Sequence, residues 1–519
     1  MAPRSKKWLI RSGIIVAILF AAFGIGLIYL SRHFEPYIRE QAIQYLKERF
    51  DSEVELTGLH VSVPGGAAFH LATKGKIALA QLEGEGLVMR HKGRTDIPPM
   101  FRLQHFSATV DLQTLFTAAK VVPLVKLDGM EINIPPKDER PEMDSKNDGD
   151  SAVRIDNVEI RNAKLAILPR DRSRVPLNFE LHEVNLSSVG SEGAMRYDAY
   201  LSNPKPKGEI HSTGTFGPWS AGEPSDTSLS GNYLFENADL GVFKGIAGIL
   251  HSTGQFEGEL GNINAKGEAT IPDFRLKMSG NPVPLTATFE VGVDGTNGNT
   301  TLRPVHAKLG STNLTTSGTV IKHDGDTHRA IELDALIPAG NLTDVLRLAM
   351  KGDPFMQGIV KLTTKIVIPP LDGKVKEKLE LDGKFEVTGG KFLRSMIQDK
   401  IDGLSRRGQG KPKNQEIDEV VSQMAGDFRL DDQVIMFKML AFAVAGAAVN
   451  LDGSYDLGAD NLDFHGALSL DAKVSQTQSG WKRWVLKPID PFFAKNGAGT
   501  FLKIKVVGSS KSPQFGLDR

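Results

Sequence analysis

The chain has 519 residues, 62 Lys+Arg balanced by 62 Asp+Glu, 40% apolar and 7% aromatic residues, and no cysteine. Balanced charge provides no net basic field, which excludes nucleic acid as a partner. The missing cysteines remove disulfides, metal–thiolate sites and thiol nucleophiles together, and in an exported chain they fit a bacterial envelope better than a eukaryotic secretory route.

The chain opens on an apolar run. No charge falls between Ser12 and Ser31. A helix rises 1.5 Å per residue, so about 20 such residues cross a hydrocarbon core of about 30 Å. Ile14, Ile15, Val16, Ile18, Leu19, Phe20, Phe23, Ile25, Leu27 and Ile28 form the expected membrane anchor. Arg4, Lys6, Lys7 and Arg11 precede it, and such charge stays cytoplasmic, so residues 32–519 are expected in the periplasm. A cleaved signal peptide is the alternative. The run is longer than an ordinary signal core and lacks a clean small-x-small site, which favours an uncleaved signal anchor.

Residues 34–50 place Phe34, Ile38, Ala42, Tyr45 and Leu46 on one stripe at helical spacing, predicting a short amphipathic helix at the membrane surface or packed on the following sheet. From Val54 the apolar period becomes two. Leu59, Val61 and Val63 alternate with polar positions, as do Met130, Ile132 and Ile134, and then Val360, Leu362, Thr364, Ile366 and Ile368. In residues 461–471, Leu462, Phe464, Gly466, Leu468 and Leu470 face one way, while Asn461, Asp463, His465, Ser469 and Asp471 face the other.

Asp128-Gly129, Asp294-Gly295, Asn297-Gly298, Asp324-Gly325, Asp372-Gly373, Asp382-Gly383, Asp452-Gly453 and Asn496-Gly497 read as tight hairpin turns. Three stretches interrupt the strands. Residues 137–151 form a charged linker expected to be disordered, 217–228 a long exposed loop, and 402–417 a mobile connection between helical segments. The expected organisation is residues 1–31 as cytoplasmic tail and anchor, 32–136 as an N-terminal β region with its leading helix, 137–151 as linker, and 152–519 as the middle and C-terminal β region. A weak repeat relates 237–260 to 339–362: each has an Asx-Leu start, a short helix-like stretch, then a Gly before a new strand.

Catalytic and metal signatures are absent from the sequence. The twelve histidines are scattered. His323 and His328, with Asp324 and Asp326 between them, read as a polar hairpin turn rather than a metal loop. Ser202 and Lys205 nominally fit Ser-x-x-Lys, but they sit in a Pro-rich turn. The chain is read as a non-enzyme with no cofactor and no metal. Residues 478–508 set Trp481, Trp484, Phe492 and Phe493 among Lys482, Arg483, Lys487 and Lys495, as either a membrane-interface segment or the core of a terminal helix.

Several segments together resemble the AsmA family of bacterial envelope proteins, within the wider AsmA-like group that includes the TamB and YhdP types. They are the signal anchor with residues 34–63, the strand–helix–strand stretch 101–136 with its Leu-Asp-Gly, and 153–168. In the C-terminal half they are 379–392, 451–472 and 506–518. The resemblance implies an elongated, twisted, mostly antiparallel β-sheet groove with a few short helices, apolar inside and polar outside. It implies a protein anchored in the inner membrane, with phospholipid as its ligand, Leu462, Phe464, Leu468 and Leu470 as candidate lipid-facing groove residues, and outer-membrane lipid homeostasis and envelope integrity as its role. The alternative is a scaffold for outer-membrane assembly, whose exposed strand edges engage outer-membrane or periplasmic proteins.

Overall fold

A computed structural model of the chain describes residues 52–62, 79–91, 93–111, 119–135, 152–169, 175–189, 193–218, 224–323, 325–326, 328–409, 411, 420–470 and 500–518, with part of a helix between 36 and 47. The anchor, the linker 137–151 and most of 478–508 lie outside the described residues. Among the described residues no helix is long and apolar enough to cross a membrane.

The protein is mostly β and divides into two compact units, one ending at Tyr233 and the other beginning at Leu234. The first contains β1 (Ser52–Ser62), β2 (Leu79–His91), β3 (Phe101–Asp111), β4 (Ala119–Ile134), β5 (Ala152–Ile167), β6 (Leu177–Val189), β7 (Met195–Pro204) and β8 (Lys207–Phe216). The division falls inside β9 (Ser228–Asp239). The second unit continues with β10 (Ile246–Ala247), β11 (Ile249–Glu259), β12 (Asn262–Ile271), β13 (Arg275–Leu276), β14 (Leu285–Val293), β15 (Thr300–Leu309), β16 (Thr312–Ile321) and β17 (Ala330–Asn341). It ends with β18 (Met356–Ile368), β19 (Glu380–Phe392), β20 (Ser422–Asp431), β21 (Val434–Val444), β22 (Ala447–Asp456), β23 (Asn461–Leu470), β24 (Thr500–Ser509) and β25 (Ser512–Leu517). Its helices are α1 (Leu342–Ala349), α2 (Val375–Lys378) and α3 (Ser395–Gly408).

Twenty-three strands are joined in one hydrogen-bonded sheet, and β10 and β13 pair as a separate ribbon. Within each unit the strands pair in chain order, as a meander. One pairing departs from the antiparallel expectation. β4 and β5 run parallel, with Ala119 opposite Ala152 and Ile134 opposite Ile167.

In the first unit the period-two alternation changes phase along one row. The inward residues step by three rather than two: Leu56 to Leu59, Leu103 to Phe106, Leu127 to Met130, and Ile160 to Ala163. Gly86 (φ 67°), Gly129 (φ 65°) and Asn162 (φ 51°) take left-handed backbone at this break. Asn162 tolerates it with its amide donating to Asp128 Oδ1 at 2.8 Å. On both sides of the break the same face stays apolar, giving a core of Val54, Leu56, Leu87, Met89, Leu103, Met130, Val158, Ile160 and Ala163. Ile43 and Leu46 of the leading helix pack on this core, and Arg39 donates to the Leu56 carbonyl. The helix therefore docks on the sheet, one of its two expected positions.

Two smaller clusters organise the second unit. Leu342, Met356, Val360 and Val387 bury under α1, and Val420, Val444 and Ala447 bury with Ile401 and Leu404 of α3. The repeat is present as geometry. Asp239 and Asn341 each cap a short helix by accepting from the amide two residues on, Gly241 and Thr343, and the following Leu240 and Leu342 are both buried at 7% exposure. The first copy is only a 3₁₀ turn, Leu240–Val242. Residues 402–408, expected in a mobile connection, belong instead to α3, which Ser405 Oγ pins by donating to the Ala445 carbonyl at 2.8 Å.

Three of the Asp-Gly pairs correct the turn reading. Gly129, Gly383 and Gly453 stand inside β4, β19 and β22. Gly129 supplies the positive φ of the phase break. At Gly383 a Cβ would stand 2.6 Å from the Thr363 carbonyl and 2.9 Å from the Phe428 ring, and at Gly453 2.1 Å from the Asp463 carbonyl. These glycines permit close approach rather than reversal. Asp294-Gly295 and Asn297-Gly298 do form a turn, in which Asp294 accepts from Thr296 and Asn297.

Candidate functional site

The ladder registers of the second unit assemble an apolar track. One row runs Phe256–Ala265–Val291–Leu302–Gly318–Leu333–Ile366, each residue directly opposite the next. It continues Leu381–Leu430–Ile435–Tyr455–Leu462–Gly508–Pro513 to the last strand. From β18 onward a second row, Thr364–Gly383–Phe428–Phe437–Gly453–Phe464–Val506–Phe515, lies beside it. A third follows, Leu362–Phe385–Gly426–Leu440–Leu451–Gly466–Ile504–Leu517. Residues directly opposite share a face, so these rows form one surface from β11 to β25 with no charged member.

The phenylalanines form a chain along this surface. Ring centroids are 6.2 Å apart for Phe385 and Phe428, 6.5 Å for Phe428 and Phe437, and 5.7 Å for Phe437 and Phe464, all tilted. Glycine stands opposite a ring at Gly383, Gly426 and Gly453, and at the first two a Cβ would meet the ring itself, Phe428 at 2.9 Å and Phe385 at 2.8 Å, so these rings lie across the neighbouring strand. From Phe256 to Leu462, every residue of the first row except Leu430 remains partly exposed. Phe515, 73% exposed, and Leu517, 56% exposed, end the surface at the sheet edge. The principal backbone contacts of the described strands are with ladder partners, with α1 and α3 touching only part of the sheet.

Two of the four candidate lipid-facing residues, Leu462 and Phe464, belong to these rows. Leu468 and Leu470 lie further along β23 and pack against the cluster of Val420, Val444 and Ala447, on which Ile401 and Leu404 of α3 also pack. The sequence reading missed Phe385, Phe428 and Phe437. Their signal is a Phe at an inward position with a Gly one ladder step away, which becomes visible only when strand registers are known.

The opposite face is ionic. Lys365 pairs with Glu332 at 3.3 Å, and Lys384 with Asp427 at 3.4 Å. The first unit holds a concavity of about 810 Å³ whose lining mixes polar and apolar side chains, among them His60, Glu83, His105 and Lys126 beside Leu59 and Phe106. Lys126 is paired with Glu159 at 3.2 Å. Among the described residues no group of three His, Asp or Glu side chains is placed to hold a metal ion.

Ser202 does not make the arrangement of a nucleophile. Its Oγ donates to the Glu209 carboxylate, 3.0 Å from both oxygens, so the His182 Nε2 at 2.7 Å must donate to Ser202 rather than take its proton. His323 and Asp326 close a turn, the Asp326 amide donating to the His323 carbonyl at 3.1 Å. His328 turns away to Asp372 at 2.9 Å.

No family model, no curated protein and no solved structure matches this chain.

Proposed function

We propose that the protein binds or conducts phospholipid along the apolar track, as a member of the AsmA family anchored in the bacterial inner membrane by residues 8–30, with its β region in the periplasm. The uninterrupted, partly exposed apolar surface from Phe256 to Phe515 carries this reading. A single sheet face of that extent stays in water only at high cost unless something apolar covers it. Acyl chains suit such a surface because burial of each CH₂ contributes about 0.8 kcal/mol without directional contacts. The Phe–Gly pattern supports the same reading, since rings laid over glycines make a smooth apolar floor. The inner leaflet would supply lipid at the anchored end. The role is in outer-membrane lipid homeostasis and envelope integrity, without catalysis.

The test places a photoreactive benzoylphenylalanine at Phe437, at Phe289, which shares the face of Val291 two residues on along β14, and at Met436, which lies on the opposite face of β21 from Phe437. Full-length chain in phospholipid vesicles is irradiated and adducts are read by mass spectrometry. Lipid adducts from the two inward positions and none from Met436 are expected. Equal yields at all three, or none from folded protein, would overturn the reading. A second reading, a scaffold that captures partner strands, is favoured by one feature: the terminal strand β25 pairs on one side only among the described residues.

A further inference from the structure

We infer that His465 is a pH-dependent clasp that fastens the terminal strand β25 to the sheet. The imidazole stands on β23 and reaches past β24. Its Nδ1 is 2.9 Å from Asp518 Oδ2, just beyond β25, and its Nε2 is 3.1 Å from Asp463 Oδ1 on its own strand. Ionised carboxylates only accept hydrogen bonds, so both ring nitrogens must carry protons for both bonds to exist. Only the imidazolium does so; either neutral tautomer turns a lone pair toward one carboxylate.

The surroundings favour the charged ring. Asp452 of β22 lies opposite His465 on one side and Lys505 of β24 on the other. Lys503 and Lys505 act on Asp518. The His465 pKa is raised above its ordinary 6.5, first by the bond to Asp518 and then by that to Asp463, with burial opposing. The Asp518 carboxyl is correspondingly held below the ordinary range, chiefly by His465. A raised folded value means that the clasp is fully closed below the unfolded histidine pKa and is lost as pH rises through the folded one.

What the clasp controls is β25, which among the described residues pairs with β24 alone. β25 has six residues, and the Asp518 amide donates to the Lys503 carbonyl at 3.0 Å. Alternation then turns the main-chain groups of Phe515 and Leu517 outward, while Pro513 has no N–H to offer. The closed edge is therefore short and blunt. With β25 released, the edge becomes β24, a strand of ten residues. Long unpaired edges recruit further strands, so pH selects between a protected and a receptive edge. This inference stands on the His465 geometry alone, whatever occupies the apolar track.

Hydrogen exchange on the full chain in detergent micelles tests it, with protection factors for 512–518 taken between about pH 5 and pH 9 to bracket histidine titration. Protection should fall about two- to fivefold through the transition, the scale of an exposed ion pair. His465→Gln and Asp518→Asn should abolish that fall and leave β20–β22 protected as before. Unchanged wild-type protection, or the same fall in His465→Gln, would overturn the clasp. A reading free of variants comes from the imidazole ¹⁵N shifts: both nitrogens protonated at pH 6.5 supports it, and a neutral tautomer there refutes it.

Discussion

Phe106 lies across Gly84 on the adjacent strand so closely that a Cβ at Gly84 would stand 2.1 Å from the Phe106 ring carbon Cζ. The two residues are directly opposite in the β2–β3 ladder, and Phe106 packs against the core of the first unit. The ring takes the volume that the glycine lacks and repairs the packing of a residue that otherwise weakens strands. Gly84→Ala should therefore lower stability by about 1–3 kcal/mol, the range for overpacking a filled site. Phe106→Leu in the same chain should recover part of the loss. Denaturant midpoints of the two single variants and the double variant measure this as a cycle, and strict additivity would sink the pairing.

This pair also shows what the sequence hid. A period of two is easily read on either side of the phase break, and both Leu59–Val61 and Met130–Ile132 were legible as strand. The break itself was not, because a step of three at Leu127–Met130 looks like an end of strand when an Asp-Gly stands inside it. Asp-Gly signals positive φ or close approach, and a turn is only one of the structures that need them. Leu462 and Phe464 could be placed on an inward face from their own strand. Phe437 could not, since its membership of the track depends on Gly453 lying opposite, a long-range fact fixed by register.

Asp344, in the first turn of α1, ties that helix to the turn between β15 and β16. Its Oδ2 accepts from the Ser311 amide at 2.8 Å, from Ser311 Oγ at 2.7 Å and from Thr312 Oγ1 at 3.1 Å. Thr312 is fully buried. Asp344→Ala leaves the exposed Ser311 amide and hydroxyl to water, while Thr312 Oγ1 keeps the Asn341 carbonyl at 3.3 Å, so the loss should be about 1 kcal/mol. Asp344→Asn keeps one acceptor oxygen and should cost less. Exchange rates at 311–312 and 342–346 report the loss locally; an unchanged pattern in the Ala variant would show that the carboxylate does not hold the helix.

Acid sensitivity should follow Asp273. The Ile249 amide donating to its carboxylate at 2.8 Å is the main reason that its pKa lies below the ordinary 3.8, with burial opposing and Arg275 at 3.0 Å adding to the lowering. A lowered folded value means that this stabilisation is present above the unfolded pKa and disappears as pH falls through the folded one. Asp273→Asn should flatten the dependence of stability on pH below about pH 4, where free aspartate titrates. Thermal midpoints of both chains across that range should converge at the acid end. Parallel curves would mean that Asp273 contributes nothing to the acid limb.

Part of the apolar face lies under α3, whose Ile401 and Leu404 pack on the cluster of Val420, Val444 and Ala447. Gly408, at the end of that helix, approaches the sheet so closely that a Cβ would stand 2.1 Å from the Gly446 carbonyl oxygen. Gly446 itself has φ 84° and cannot readily give way. Gly408→Ala should therefore lift the end of α3 from β22, despite alanine's better helix propensity. Leu468 and Leu470, which share with Ile401 and Leu404 the buried cluster they pack on, would then join the exposed surface. Exchange should rise in 395–408 and 444–447 while the Phe428–Phe437–Phe464 rows stay protected, and binding of an apolar dye should increase. If exchange rises but dye binding does not, the two leucines find cover elsewhere, and α3 is a support for the sheet rather than a lid over its apolar face.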